Sequence, residues 1–262
     1  MNREKAIQFV EQNGSDLEIA RLRYLLHEER PSAAIIEQLC SGQRKDGGFA
    51  PFWAPDYSSI DATCYRLAQA EQLGIGVAEP AIAQATRFLE KRQGKKGDFK
   101  EGLAVVDRAP PWAAPGDLAA ELYLTANAGF WLAYFGFAKA ALQAAHFLRM
   151  HLDTDVNKLP SFAQTHWLAC GLAWQLNVHD LIESLEPRLY LYARLPQSTN
   201  ELAWMLTTLL CADYAANHDI IVTGLKQLGK MQQADGRFPN DEGQDVHTTL
   251  EALRAFGAAN PA

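Results

Sequence analysis

Strand signals are nearly absent from this chain of 262 residues. There is no sustained alternation of apolar and polar residues and there are few β-branched clusters, while Ala, Leu, Gln and Glu, which lose little rotamer freedom in a helix, are abundant. A sheet-based fold is excluded and an all-α chain is expected. Long hydrophobic runs are missing too: the most apolar stretch, Ala128 to Ala138, ends at Lys139 and is roughly half the ~20 residues that a membrane span needs. It reads as a buried helix. Basic blocks are equally scarce. Lys+Arg 24 against Asp+Glu 31 leave a net charge of -7, and no basic run is longer than Lys95-Lys96, so nucleic acid and anionic membrane are poor partners. The four cysteines, Cys40, Cys64, Cys170 and Cys211, are far apart, and no Cys-x-x-Cys pair exists. Neither a disulfide framework nor a zinc ribbon is indicated, and reduced, buried thiols are expected. The N-terminus, Met1-Asn2-Arg3-Glu4-Lys5, mixes charges and runs into an amphipathic stretch. It lacks the layout of a secretory signal, so a cytoplasmic location is expected.

What is present is helical periodicity. Hydrophobic residues make up 48% of the chain, enough for a sizeable core. Apolar positions recur at helical spacing in Ile35-Ile36-Leu39, Ile82-Ala85-Phe88-Leu89, Leu142-Ala145-Phe147-Leu148 and Leu225-Leu228-Met231, which predicts helices with one buried stripe. Gly/Pro/Asp-rich connections follow them. After each comes a second helix, starting near Asp16, Ile60, Asp117, Phe162, Asn200 and Val246, that is apolar on more than one face and must be enclosed by protein. The pattern predicts about six hairpins, each an outer amphipathic helix followed by an inner buried one, with a period near 45 residues.

Three connections match when superposed: Gln43-Arg44-Lys45-Asp46-Gly47-Gly48-Phe49, Gln93-Gly94-Lys95-Lys96-Gly97-Asp98-Phe99 and Gln232-Gln233-Ala234-Asp235-Gly236-Arg237-Phe238. In each, Gly is expected to supply the positive φ of a helix stop, Phe to pack beneath the next helix, and the Gln amide to satisfy backbone groups at the helix end. The inner helices restart at Asp61, Asp117 and Asp245, as N-caps or first-turn acids.

A Gln-x-x-(Asp)-Gly-x-Phe turn followed by Asp-Val-x-Thr-Thr and an Ala/Leu-rich helix resembles the repeat of squalene cyclases and protein prenyltransferases. The clearest copy runs from Leu228 to Phe256, with others at Leu39 to Leu73 and Phe88 to Phe135. The resemblance implies a single α/α toroid domain over 1–262, an α6/α6 barrel whose central apolar cavity takes a hydrophobic, isoprenoid ligand such as a prenyl diphosphate, for cyclisation or prenyl transfer. The Asp-x-Asp-Asp motif of class II cyclases is absent. Asp56-Tyr57-Ser58-Ser59-Ile60-Asp61-Ala62-Thr63 keeps only its last Asp, and the Asp-Asp-x-x-Asp site of class I synthases is missing as well. The resemblance to prenyltransferase β subunits implies a zinc set of Asp61, Cys64 and His247, the last in a His-Thr pair with Thr248.

Converging helix N-termini favour an anion at the toroid's mouth, where Asp61, Asp117, Asp241, Glu242 and Asp245 also fall. Asp61, Asp245 and His247 are the candidate catalytic residues, because an acid deep in an apolar cavity becomes a general acid. Trp112, Trp131, Trp167 and Trp204, with Phe130 and Tyr123, are the candidate ligand-binding aromatics, since π faces stabilise carbocations and wrap apolar chains. The stiff loop Ala109-Pro110-Pro111-Trp112-Ala113-Ala114-Pro115 suits a lid. A non-catalytic scaffold and a carbohydrate-active α/α barrel with paired carboxylates are the competing readings.

Overall fold

A computed structural model describes residues 1–196, 198–241 and 243–259. Glu242, one of the expected rim acids, lies outside them. Among the described residues there are twelve α-helices and no strand. They are α1 (Arg3–Asn13), α2 (Asp16–His27), α3 (Ala33–Cys40), α4 (Ile60–Glu71), α5 (Pro80–Arg92), α6 (Leu118–Tyr134), α7 (Ala138–Met150), α8 (Ala163–Gln175), α9 (His179–Arg194), α10 (Thr199–Cys211), α11 (Asp219–Leu228) and α12 (Asp245–Ala259). The even-numbered helices begin within a residue or two of the six starts expected from the sequence.

The expected enclosure is seen in α6 and α8 and not in α2, where only Leu17, Arg21 and Leu22 are buried. Every residue of α6 from Leu122 to Leu132 is buried, as is every residue of α8 from Thr165 to Ala173, whereas α5 and α7 bury one stripe each. One apolar position differs. Leu142 faces water at 49% exposure, and the buried stripe of α7 is made by Ala140, Ala141, Ala144, Ala145, Phe147 and Leu148. Small residues fill that face because α6 presses against it: a Cβ added to Gly129 would stand 2.8 Å from the Ala144 methyl.

The residues group into two compact units, Leu39–Leu185 and Met1–Gln38 with Glu186–Ala262. In the first, α6 is the hub, packed against α4, α5, α7 and α8. In the second, α12 packs against α1, α2, α10 and α11, with Ala6, Val10, Leu22, Leu250 and Leu253 forming a shared core.

The three matching turns share one construction. The Gln43 amide donates to Gly47 O at 3.0 Å and to Ala81 O, in the first turn of α5, at 2.7 Å. Gln93 reaches Gly97 O and Ala140 O in α7, and Gln232 reaches Gly236 O and Asn2 O at the start of α1. The Gln side chain thus ties each turn to the next outer helix, rather than completing the helix it follows. The glycines act the same way: Gly47, Gly97 and Gly236 have φ of 93°, 91° and 98°, and a Cβ there would strike the backbone carbonyls of Gln84, Gln143 and Lys5. Glycine is needed because another helix lies against the turn.

The aromatic of each turn is fully buried, and its backbone N–H donates to a threonine of the following inner helix. Phe49 pairs with Thr63 at 3.0 Å, Phe99 with Thr125 at 2.9 Å and Phe238 with Thr249 at 2.9 Å. Each threonine hydroxyl in turn donates one helical turn back, to Ser59 O, Glu121 O and Asp245 O. The N–H of a buried turn would otherwise have no partner.

Candidate active site

Asp61 sits in the first turn of α4. Ser59 caps that helix through Ala62 N, so the Asp61 side chain is free for other contacts. Its Oδ1 accepts from the Tyr123 hydroxyl at 2.9 Å and its Oδ2 from Trp112 Nε1 at 3.1 Å. Tyr123, on α6, accepts a longer bond from Asn127 Nδ2, one helical turn further on, at 3.4 Å, and its ring meets Phe162 edge-on at 6.2 Å. Trp112 comes from a short 3-10 turn, Pro111–Ala113. The arrangement is a carboxylate held between a phenol from a rigid helix and an indole from a loop.

Burial raises the Asp61 carboxyl above its ordinary value, although the Tyr123 and Trp112 bonds favour the charged form and pull it down. Asp61 nevertheless keeps part of its surface open to water. Burial, with Asp61 second, pushes the Tyr123 hydroxyl well above its usual range. Tyr123 therefore stays a neutral donor to Asp61.

Glu101 occupies the position at the start of α4 where an anion would bind. Its Oε1 accepts from Ser59 Oγ at 2.7 Å, Ile60 N at 2.8 Å and Asp61 N at 3.4 Å, and its Oε2 from Tyr57 at 3.1 Å. Arg92 stands 3.8 Å from Oε2. Burial raises this carboxyl against those bonds and the Arg92 charge. The chain supplies its own anion to the helix dipole. Asp117 caps α6 through Ala120 N. Asp245 is bound on both oxygens, by Asn240 N at 2.7 Å and Arg237 at 2.9 Å, and Asp241 is exposed. Of the expected rim acids that are described, Asp61 alone combines burial with a contact to an aromatic loop.

His247 lies in the other unit, one turn before Glu251 on α12. Its Nδ1 stands 3.2 Å from Arg21 of α2. A guanidinium can only donate, so Nδ1 is the acceptor and Nε2 carries the proton. Glu251 Oε1 is 3.6 Å from Arg21 and 4.0 Å from His247 Nε2, and Thr207 of α10 also bonds Glu251. Burial and then the Arg21 charge lower the His247 imidazole below its ordinary value, with Glu251 and Glu18 opposing. Burial opposes ionisation of Glu251 too, yet the charges of His247, Arg254 and Arg21 hold it below its ordinary value. It is a compact ionic cluster of Arg21, His247 and Glu251.

The expected zinc ligands are not gathered into a metal site among the described residues. Burial and then the Asp61 charge push the Cys64 thiol well above its ordinary value. Asp61 is bound on both oxygens, and His247 is paired with Arg21. Among the described residues no group of three or more His, Cys, Asp or Glu side chains is placed to hold a metal ion.

The tryptophans separate. Trp112, 36% exposed, touches Asp61. Trp131, two turns beyond Tyr123, is packed against Phe130, Tyr134 and Phe135 with centroids 5.0, 5.7 and 6.2 Å away, and Trp167 is buried in α8. Trp204 is half-buried on α10 of the other unit. Asp61 and Trp112 are thus brought together with Tyr123. Sequence reasoning missed Glu101, Asn127, Arg21 and Glu251. None of them sits in a repeated turn or at a helix start, the two signals that carried the reading.

Comparison with known proteins gives the fold a class. No protein-family model matches the chain, and no curated protein matches it. A variant of MstE, a type II terpene cyclase from Scytonema solved in complex with its substrate geranylgeranyl dihydroxybenzoate, is similar over 93% of this chain and 86% of its own, with TM-score 0.57 and 14% identity. A crystal structure of a protein from Actinoplanes is similar over 98% of both chains, with TM-score 0.56 and 16% identity. The chain therefore has a terpenoid-cyclase-like, all-helical fold of the α/α toroid class. Among the described residues no helix is long and apolar enough to cross a membrane.

Proposed function

We propose that the protein binds a hydrophobic isoprenoid ligand beside α4 and α6 and protonates one of its double bonds from Asp61. The observation that carries this reading is Asp61 itself: an acid weakened by burial, oriented by Tyr123 and Trp112, and partly open to solvent. In the reaction, the Asp61 proton passes to one alkene carbon. The π pair forms the new C–H bond, a cation remains on the neighbouring carbon, and Asp61 is left as carboxylate. A second double bond of the ligand closes a ring on that cation and leaves the charge on its own far carbon; a neighbouring C–H then gives its proton to water, which leaves a neutral product isomeric with the substrate, and the Asp61 carboxylate takes a proton back from solvent. The faces of Tyr123, Phe162 and Trp112 suit a passing positive charge.

A ligand uncharged at the Asp61 end has more support than a prenyl diphosphate, because Glu101 already fills the N-terminus of α4. Similarity to MstE, solved with a prenylated substrate, agrees with that choice. The test is to incubate the protein with farnesol, with geranylgeranyl dihydroxybenzoate, with farnesyl diphosphate and with oligosaccharides. Thermal stability and product mass are followed. Saturation at a hundred times the dissociation constant adds about 2.7 kcal/mol of stability. Stabilisation by a neutral isoprenoid, with an isomeric product that Asp61→Asn does not form, is the expected result. Stabilisation by oligosaccharide alone, or by nothing, overturns the reading, and the second outcome favours a non-catalytic scaffold.

A further inference from the structure

Apolar residues on α11 extend beyond the stripe that it buries. Ile220, Ile221, Gly224 and Leu228 form the buried set. Val222, Leu225 and Lys226, with Gly229 just past the helix end, share a different face at helical spacing, and Val222 is 51% exposed. Together with Phe256 and Ala259 from the last turn of α12, and with Met1, that face lines a recess of about 430 Å³ that opens to solvent, a volume within the range of small-molecule sites. All of these residues belong to the unit that does not contain Asp61. Gly229 has ordinary helical angles, φ -59° and ψ -25°, so the backbone does not require glycine there. A Cβ would stand 3.5 Å from Phe256 Cζ and 3.7 Å from Met1 N, which are ordinary contact distances. What the glycine contributes is room between Phe256 and Met1. Lys226 carries the one charged side chain among the described residues that line the recess. It is exposed, and it enters no ion pair or hydrogen bond among the described residues, in a chain whose acids outnumber its bases.

We infer that this recess is a binding site for a monoanionic amphiphile, an acyl chain ending in a carboxylate: the chain lies against Val222, Leu225 and Phe256, and the carboxylate meets the Lys226 ammonium at the mouth. The charge of the head follows from its surroundings. A wholly apolar ligand laid over Lys226 strips water from the ammonium and returns nothing, and a cationic one is repelled by it. One ammonium balances one carboxylate. The recess lies at the C-terminal ends of α11 and α12, where carbonyl dipoles disfavour negative charge, so a multiply charged phosphate head is opposed. That opposition is weak enough for a single charge, because the Leu225, Gln227 and Leu228 carbonyls at the end of α11 are already taken by the N–H groups of Gly229, Lys230 and Met231. The site shares no residue with Asp61 and its partners, so it and the proposed reaction stand or fall separately.

The experiment is a calorimetric titration of the full chain with sodium decanoate, decan-1-ol and decyl phosphate, each below the concentration at which it self-associates. Decanoate is expected to bind at one site, more tightly than the other two. Lys226→Gln, a change at an exposed position that asks nothing of the core, is expected to weaken decanoate about fivefold, the worth of a well-formed exposed ion pair, and to leave decanol unchanged. Gly229→Leu, which puts a side chain between Phe256 and Met1, is expected to abolish binding of both while helical circular dichroism is kept. Decanoate binding that survives Gly229→Leu puts the ligand elsewhere and overturns the site. Equal affinity for decanoate and decanol, a comparison that needs no variant, overturns the carboxylate, as does an undiminished affinity in Lys226→Gln. Tighter binding of decyl phosphate overturns the single charge, and no decanoate binding to the unaltered chain overturns the inference outright. In sedimentation, a dimer that Val222→Glu dissociates means that a second copy covers this face, and that too overturns the site.

Discussion

Replacing one oxygen of Asp61 by an amide nitrogen tests stability and chemistry separately. The carboxyl is raised above the ordinary 3.8 in the folded chain, burial outweighing its two hydrogen bonds. The folded state therefore holds the proton more tightly than the unfolded state. The stability this lends is fully present below the unfolded value, and it is lost as pH rises from there through the folded value. Above the folded value the charged Asp61 opposes folding. Asp61→Asn is accordingly expected to abolish isomerisation while leaving melting temperature at pH 7 equal or higher, and that gain should vanish in scans near pH 3. A large fall in stability at pH 7 would mean that Asp61 is a structural ion and no functional acid. Thr63 offers the opposite case. Its hydroxyl satisfies the buried Phe49 N–H, so Thr63→Val, similar in volume, should cost about 1–3 kcal/mol in urea unfolding through the orphaned donor. Chemistry at Asp61, on the same helix, would be spared in the fraction that folds.

At the scale of helices and turns, the repeated connections were legible because they pack against the same kind of neighbour, a helix start, three times over. Gln, Gly and Phe had to hold their offsets. The threonine that completes each unit was not legible: it lies 14, 26 and 11 residues beyond its aromatic, since the loop before the inner helix varies while the end point does not. Glycine makes the packing argument testable. Gly42 and Gly47 both have positive φ, 81° and 93°. A Cβ at Gly42 meets nothing within 4 Å, and one at Gly47 stands 2.5 Å from Gln84 O. Gly42→Ala should lose only the backbone preference, about 1–2 kcal/mol, and Gly47→Ala distinctly more, because α5 must move. Equal losses in chemical denaturation would remove the close approach as the reason for the glycine.

At the scale of the chain, the all-helical class and the six starts of the even-numbered helices were readable, the latter most plainly in α6 and α8, where enclosure by protein writes itself on every face of a helix. The candidate site was readable only in part. Asp61 and Trp112 are 51 residues apart, and nothing in either segment states that one bonds the other, nor that Glu101 fills the end of α4. The wrap of the last repeat onto the first helix was equally hidden, and it has a measurable consequence. Gln232 and Gly236 meet Asn2 and Lys5 of α1 in the way that Gln43 and Gly47 meet α5, and Ala6 and Val10 complete the core of Leu22, Leu250 and Leu253. The first helix is thus the docking surface of the C-terminal repeat. Deleting residues 1–14 uncovers Ala6 and Val10, both fully buried, and leaves the Gln232 turn unanchored. From the apolar burial alone the loss is about 2–4 kcal/mol. Hydrogen exchange should show it as faster exchange in α12 and around Phe238, over 200 residues away along the chain, with α6 and α8 unaffected. Protection of α12 that survives the deletion would mean that the last repeat stands without the first helix.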